Sequence, residues 1–240
     1  MISHSNIKNM RKNYRHIFFD LDRTLWDFDL NAHTTLVELC DLYNLSDIGV
    51  ATQEFIQSYT IHNEKLWALY RENKIPKNLL RSERFKLTLA DFSIDDNDLA
   101  IKLGDEYVAK CPLQTALFPY AFEILKYLKK KYKLHIITNG FEEVQHIKLN
   151  ASGLSSYFQK IITSEGVNVK KPDPKIFDYA LALVGAKAED TIMIGDDLLV
   201  DIVGARNVGI HQIYFNPNKK NHSEKIDYEI SSLDEIKEIL

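Results

Sequence analysis

Cysteine is nearly absent: Cys40 and Cys111 are the only two in 240 residues. A disulfide-stapled scaffold is excluded, and the pair is expected as free thiols in a reducing, cytoplasmic setting. No run approaches the ~20 apolar residues that a spanning helix needs, so no membrane segment is expected. The opening stretch, MISHSNIKNMRKNYR, is polar and basic and lacks the apolar region of a secretory leader. Neither sign of charge dominates. A net charge of −4 and a pI of about 6.1 provide no basic field to draw nucleic acid or an anionic membrane surface. The eight histidines include no pair spaced i, i+4, so a helical zinc site is not indicated. Repeats and low-complexity tracts are missing as well. With 45% hydrophobic and 27% charged residues, the chain reads as an ordinary soluble globular protein, long enough for a domain with an inserted partner.

Two textures divide it. From about Asn31 to Lys110 the apolar spacing is helical throughout, as at Leu36, Leu39, Leu42 and Leu45, with breaks at Pro76 and SIDDND. Asn31 and Asp95 or Asp96 are expected N-caps, and Leu66, Trp67 and Tyr70 are expected core. From about Pro112, short apolar runs alternate with helical ones: KLHIITNG, QKIITSE, DTIMIGDD, HQIYF and YEISS as strands, the last at an edge. That alternation predicts a parallel sheet. The early run RHIFFDL belongs with these strands, so the helical block is an insertion placed just after the first of them.

Open parallel sheets bind ligands at the carboxyl ends of their strands. The strand ends here read FFDLD, IITNG, IITSEG and MIGDD. Asp20 and Asp22 stand two positions apart directly after a buried run. Two carboxylates there are costly unless a cation or a proton settles their repulsion. Each stretch has a bland reading alone: a turn at DLD, a turn at TNG, a solvated loop at KKPDP with Pro174 opening a helix, a helix start at GDDLLVD. KKKYK at 129–133 reads as cations suited to a helix end. Acids, hydroxyl, lysine and acids, in that order at strand ends, require those bland readings to coincide, so the functional one is preferred.

Those four stretches resemble the motifs of the haloacid dehalogenase superfamily of phosphohydrolases: DLDRT, Thr138 in TN, Lys171 before Pro172, and GDDLLVD. The resemblance implies an α/β fold, a Rossmann-like parallel sheet core at 14–28 and 112–240, with an inserted all-helical cap domain at 29–111. It implies that Asp20 is the nucleophile, forming an aspartyl phosphate, and that Asp22 is general acid and then base. A carboxylate attacking a phosphate ester needs a cation beside it, and Mg²⁺ suits an all-oxygen site. Asp20 and Asp196 would hold it through carboxylates and Asp22 through its carbonyl. Thr138 and Asn139 would hold phosphate oxygens. Lys171, rather than its neighbour Lys170, would pair with phosphate and nucleophile. Among the auxiliary residues Thr24, Asp197 and Asp201, Asp201 is favoured to orient Lys171, with Asp197 beside the metal.

LWDF and TNGF further resemble nucleoside-monophosphate phosphatases that favour pyrimidine or modified nucleotides, with Trp26 and Phe141 as substrate-binding rings. The alternatives are a sugar-phosphate, acylneuraminate-phosphate or phosphoglycolate phosphatase, a 2-haloacid dehalogenase, which Asp22 argues against, and a non-catalytic phosphate-binding protein. The expected partner is a small phosphomonoester, and the expected state a monomer or weak homodimer.

Overall fold

The computed structural model describes residues 13–240, so most of the opening stretch read as lacking a leader lies outside the described residues. Six strands form one fully parallel sheet: β1 His16–Phe19, β2 Lys133–Thr138, β3 Lys160–Thr163, β4 Thr191–Gly195, β5 His211–Phe215 and β6 Tyr228–Ile230. Their order is β3-β2-β1-β4-β5-β6, with β6 at an edge as expected. All four residues of β1 and all five of β4 are buried, which is why both read as unbroken apolar runs rather than alternating ones. The order reverses at β1, whose neighbours are β2 on one side and β4 on the other. The crevice at such a reversal, beyond the carboxyl ends, is where this architecture takes ligands.

The chain forms two compact units. The α/β unit holds the sheet and comprises residues up to Leu25, Phe118–Thr138 and Ser156–Leu240. The helical unit comprises Trp26–Leu117 and Asn139–Ser155. Its helices are α1 Phe28–Leu42, α2 Thr52–Arg71, α3 Lys77–Asp91, α4 Asn97–Lys110 and, from beyond β2, α6 Glu142–Ala151. Helices α5 Ala121–Leu128, α7 Ser164–Val167, α8 Pro174–Val184, α9 Gly204–Asn207 and α10 Ile236–Ile239 belong to the α/β unit. The sequence placed the insert at 29–111, whereas the compact unit also takes in 139–155, because α6 packs on the Cys111–Leu113 turn and pairs its Glu143 with Lys77 of α3. No helix among the described residues is long and apolar enough to cross a membrane.

Helices α2, α3 and α4 face one another through Tyr59, Phe85 and Tyr107, each buried, and Leu66 and Tyr70 are buried as expected. Asp96 caps α4 by accepting from the Leu99 amide. Asn31 does not cap α1. Asp27 does, accepting from the Leu30 amide, and Asn31 lies buried within the helix. There its side chain donates to the Ala116 carbonyl at 2.8 Å and accepts from the Ala116 amide at 3.0 Å. Two backbone bonds to a distant segment won over local capping, a partner that spacing cannot announce. The lysine run begins at a helix end as expected: Lys129 is the C-cap of α5, its amide donating to the Leu125 carbonyl at 3.0 Å. Both cysteines are free and buried.

Candidate active site

β1 delivers Asp20 to the carboxyl edge of the sheet, where its amide donates to the Ile194 carbonyl of β4 at 2.9 Å. The chain then turns: Leu25 donates to Leu21 at 3.0 Å, and Arg23 takes the left-handed region at φ +63°. That turn buries Thr24 and leaves Asp22 half-buried. The Thr24 hydroxyl donates to Asp196 Oδ1 at 3.2 Å, tying the β1 loop to the β4 loop.

Lys171 precedes α8 and is fully buried. Its ammonium donates to Asp20 Oδ1 at 2.7 Å, Asp201 Oδ1 at 2.6 Å and the Ile137 carbonyl at 2.8 Å. An ammonium has three protons, and all are used. The neighbouring Lys170 is half-buried, and burial lowers its pKa against the opposing charge of Glu165. Burial alone would lower the Lys171 pKa, but the Asp20 and Asp201 charges outweigh it and hold the group above its ordinary value, so it stays a cation.

The GDDLLVD stretch opens a wide π-type turn, Leu198–Val203, a geometry often found at functional sites. Asp197 caps it, its Oδ1 accepting from the Leu199 and Val200 amides at 3.0 Å each. Asp201 returns from the turn: Oδ1 meets Lys171, and Oδ2 accepts from the Asp197 amide at 3.1 Å. Both Asp201 oxygens are thus engaged by the protein. Gly195 makes this possible, because a Cβ there would lie 2.4 Å from Asp201 Oδ2. Sequence reasoning gave Gly195 no role. Its signal was a glycine ending a buried strand directly ahead of two acids.

Carboxylate oxygens of Asp20, Asp196 and Asp201 lie within 4.8 Å of one another. Two of the three acids, Asp20 and Asp201, pair with Lys171, and burial raises the pKa of all three. Asp20 stands well above the carboxylate range despite Lys171, Asp196 is pushed up to about 7, and Asp201 is raised. Arg23 works against the rise at Asp196, a part that sequence reading had not assigned. The surplus negative charge and all-oxygen donors fit a hard divalent cation such as Mg²⁺.

The structure therefore brings together Asp20, Thr24, Lys171, Asp196 and Asp201, with Asp197 supporting the last. Thr138 ends β2, buried, one residue beyond the Ile137 carbonyl that receives Lys171. Asn139, Trp26 and Phe141 belong to the helical unit. Trp26 is fully buried, with its indole N–H donated to the Gln114 carbonyl at 3.1 Å. Phe141 is also buried, in a cluster with Leu66, Tyr70 and Leu80.

The profile of the haloacid dehalogenase-like hydrolases matches residues 14–209. Pyrimidine 5'-nucleotidase YjjG of Escherichia coli is 33% identical over 93% of this chain and 96% of its own length. Pyrimidine 5'-nucleotidase PynA of Streptococcus pneumoniae is 32% identical over 95% of each. Among solved structures, the putative HAD-hydrolase YfnB from Bacillus subtilis, bound to magnesium, superimposes with a TM-score of 0.86 at 29% identity, covering 95% of this chain and 99% of that one.

Proposed function

The chain belongs to the haloacid dehalogenase-like hydrolases, as an enzyme of their phosphatase type, and on that premise we propose that it is a Mg²⁺-dependent phosphomonoesterase acting on pyrimidine nucleoside 5'-monophosphates. The observation that carries the chemistry is the Lys171 ammonium held between Asp20 and Asp201 at the carboxyl edge where the strand order reverses.

Asp20 attacks phosphorus and the P–O bond to the leaving alcohol breaks, giving an aspartyl phosphate. Asp22 donates its proton to that departing oxygen. A water then attacks the phosphorus, Asp22 takes the water's proton, and the acyl–phosphate bond breaks to return Asp20 and free phosphate. Lys171 works against the burial that raises the Asp20 pKa and offers its charge to the phosphoryl oxygens, while Asp201 fixes where that ammonium points. Thr138, buried at the end of β2, holds a further phosphate oxygen. Asp20, Asp196 and the Asp22 carbonyl would hold Mg²⁺. With both oxygens occupied by Lys171 and an amide, Asp201 serves as orienter rather than ligand. When bound, the ion supplies charge neutralisation where anionic nucleophile and anionic ester meet. Thr24 steadies Asp196, and Asp197 caps the turn that presents Asp201.

The names of the two nucleotidase relatives support the substrate class. The helical insert, 29–111 in the sequence reading, takes the family's cap role. The protein acts as a monomer or weak homodimer, and its setting is the cytoplasm, for which two free, buried thiols speak.

A steady-state panel decides the substrate: dUMP, dTMP, UMP, AMP, GMP, phosphoglycolate and several sugar phosphates with saturating Mg²⁺. We expect pyrimidine nucleotides to give the highest kcat/KM and EDTA to abolish turnover. A sugar phosphate or phosphoglycolate in first place removes the nucleotidase assignment and leaves the phosphatase one.

A further inference from the structure

The chain passes between its two units after Leu25, Leu117, Thr138 and Ser155. Two of these crossings directly follow residues of the site: Thr24 stands one residue before the first, and Thr138 is the last residue before the third. What lies just beyond each crossing is an aromatic side chain held firmly within the helical unit.

Trp26 is the first residue past Leu25. Its backbone bridges to Leu117, its indole N–H is taken by Gln114, and the Lys148 ammonium lies 4.2 Å over its ring. Phe141 is the third residue past Thr138. Trp67 stacks on it at 5.3 Å, Tyr70 meets it edge-on at 5.6 Å, and the Lys77 ammonium lies 4.3 Å over its ring. Glu143, two residues on, accepts from both Lys77 and Arg81 and closes the clasp. The link itself is tight, since a Cβ on Gly140 would lie 2.3 Å from the Gln145 amide.

Inside the α/β unit each crossing leads straight to the charged network. Thr24 donates to Asp196, so a shift at residues 25–26 reaches that carboxylate through one hydrogen bond. Thr138 follows Ile137, whose carbonyl receives Lys171, so a shift at 138–139 reaches the ammonium.

We propose that Trp26 and Phe141 are positioning residues: each anchors the chain just past a site residue to the helical unit, and thereby sets where Thr24 and Thr138 stand. The rings do not serve as platforms for the substrate's base. A stacking platform needs an open face, and Trp26 is 0% exposed and Phe141 5%. The inference rests on the proposed catalytic role of the Asp20–Lys171 site. It alters what the sequence suggested for the two rings.

The test compares p-nitrophenyl phosphate, which has no base, with UMP for Phe141→Ala, Phe141→Leu and the double variant Lys77→Ala/Arg81→Ala. Positioning predicts that Phe141→Ala lowers kcat on both substrates by the same factor, on the order of 10- to 100-fold, since small misplacements of catalytic groups are that costly. Phe141→Leu, which refills the clasp without a flat ring, should recover most of the loss. The double variant opens the clasp from its more exposed side and should lower both rates together if Phe141→Ala does not fold. A loss confined to UMP, with no rescue by leucine, makes the ring a base platform and overturns the proposal, as does unchanged kcat in the folded variants. Because p-nitrophenyl phosphate carries the comparison, the nucleotidase reading can fail while the positioning role stands. A wild-type protein inactive on p-nitrophenyl phosphate removes the phosphatase reading and this inference with it.

Discussion

In the α/β unit the buried charges Asp20, Lys171 and Asp201 are of both signs and touch one another, whereas the charged groups buried in the helical unit, Arg84 and Lys148, are both cations lying on aromatic rings. Arg84 donates to Asn63 at 3.2 Å and has the ring of Tyr107 4.6 Å away, with those of Phe85 and Tyr59 at 5.5 and 5.7 Å. A guanidinium is weakly hydrated and tolerates ring faces as neighbours, so this arrangement serves packing. Carboxylates crowded around one lysine are poor packing and good chemistry: burial raises their pKa values, and the surplus charge invites a cation. The same difficulty, charge without water, is met in one unit by a reactive network and in the other by an inert cage.

The sharpest break of that contrast is Asp20→Asn. Turnover should fall by at least ~10³-fold, because an amide is a poor nucleophile, while the fold survives the loss of one of three crowded acids. Rates on p-nitrophenyl phosphate beside a thermal melt check this. A folded variant keeping more than about a thousandth of the activity would sink the nucleophile role.

The cage should respond in the opposite currency. Arg84→Ala is expected to cost about 2–5 kcal/mol in urea unfolding, as large-to-small core changes do. Arg84→Met, close in volume, should cost less than about 1.5 kcal/mol. Both should leave kcat on p-nitrophenyl phosphate as it was. Equal losses for alanine and methionine would mean that the charge, and not its volume, holds the helices.

The smallest effect concerns a third buried group, the pair His16 and His135. His16 Nδ1 and His135 Nε2 lie 3.1 Å apart across β1 and β2, and one proton must bridge them. Burial lowers the pKa of both, that of His135 to about 4. The fold therefore favours the neutral rings: their contribution is complete above the unfolded value of about 6.5 and declines as pH falls toward 4. The raised carboxylates act with the opposite sign, so the useful quantity is a difference. Between about pH 7.5 and pH 5, the urea midpoint of wild type should drop more than that of His135→Leu. Parallel drops would assign the acid sensitivity to other groups.

All six strands and the helical insert were legible along the chain, because strands buried on both faces read as apolar runs and helices as a 3.6-residue spacing. The acids at the strand ends were legible for a related reason. Chemistry at a parallel sheet gathers at the carboxyl ends: Asp20 and Asp196 each stand one residue beyond a strand, and Asp201 lies in the turn that follows β4. Sequence spacing thus determined the fold class and the chemical inventory of the site. Spacing alone could not say which groups meet; the pairing of Lys171 with Asp20 and Asp201 was expected only through the family resemblance. Lys171 lies 151 positions from Asp20, and Asn31 lies 85 from Ala116, so those pairings arise only once folding brings the segments together. Nor could it tell a ring open to a ligand from a ring buried as an anchor: Trp26 and Phe141 sit beside site residues in the chain, yet tertiary contacts from Gln114, Lys148, Trp67 and Lys77 decide their burial. Local spacing sets backbone geometry and residue chemistry; burial and partnership come from segments that meet only in the folded chain.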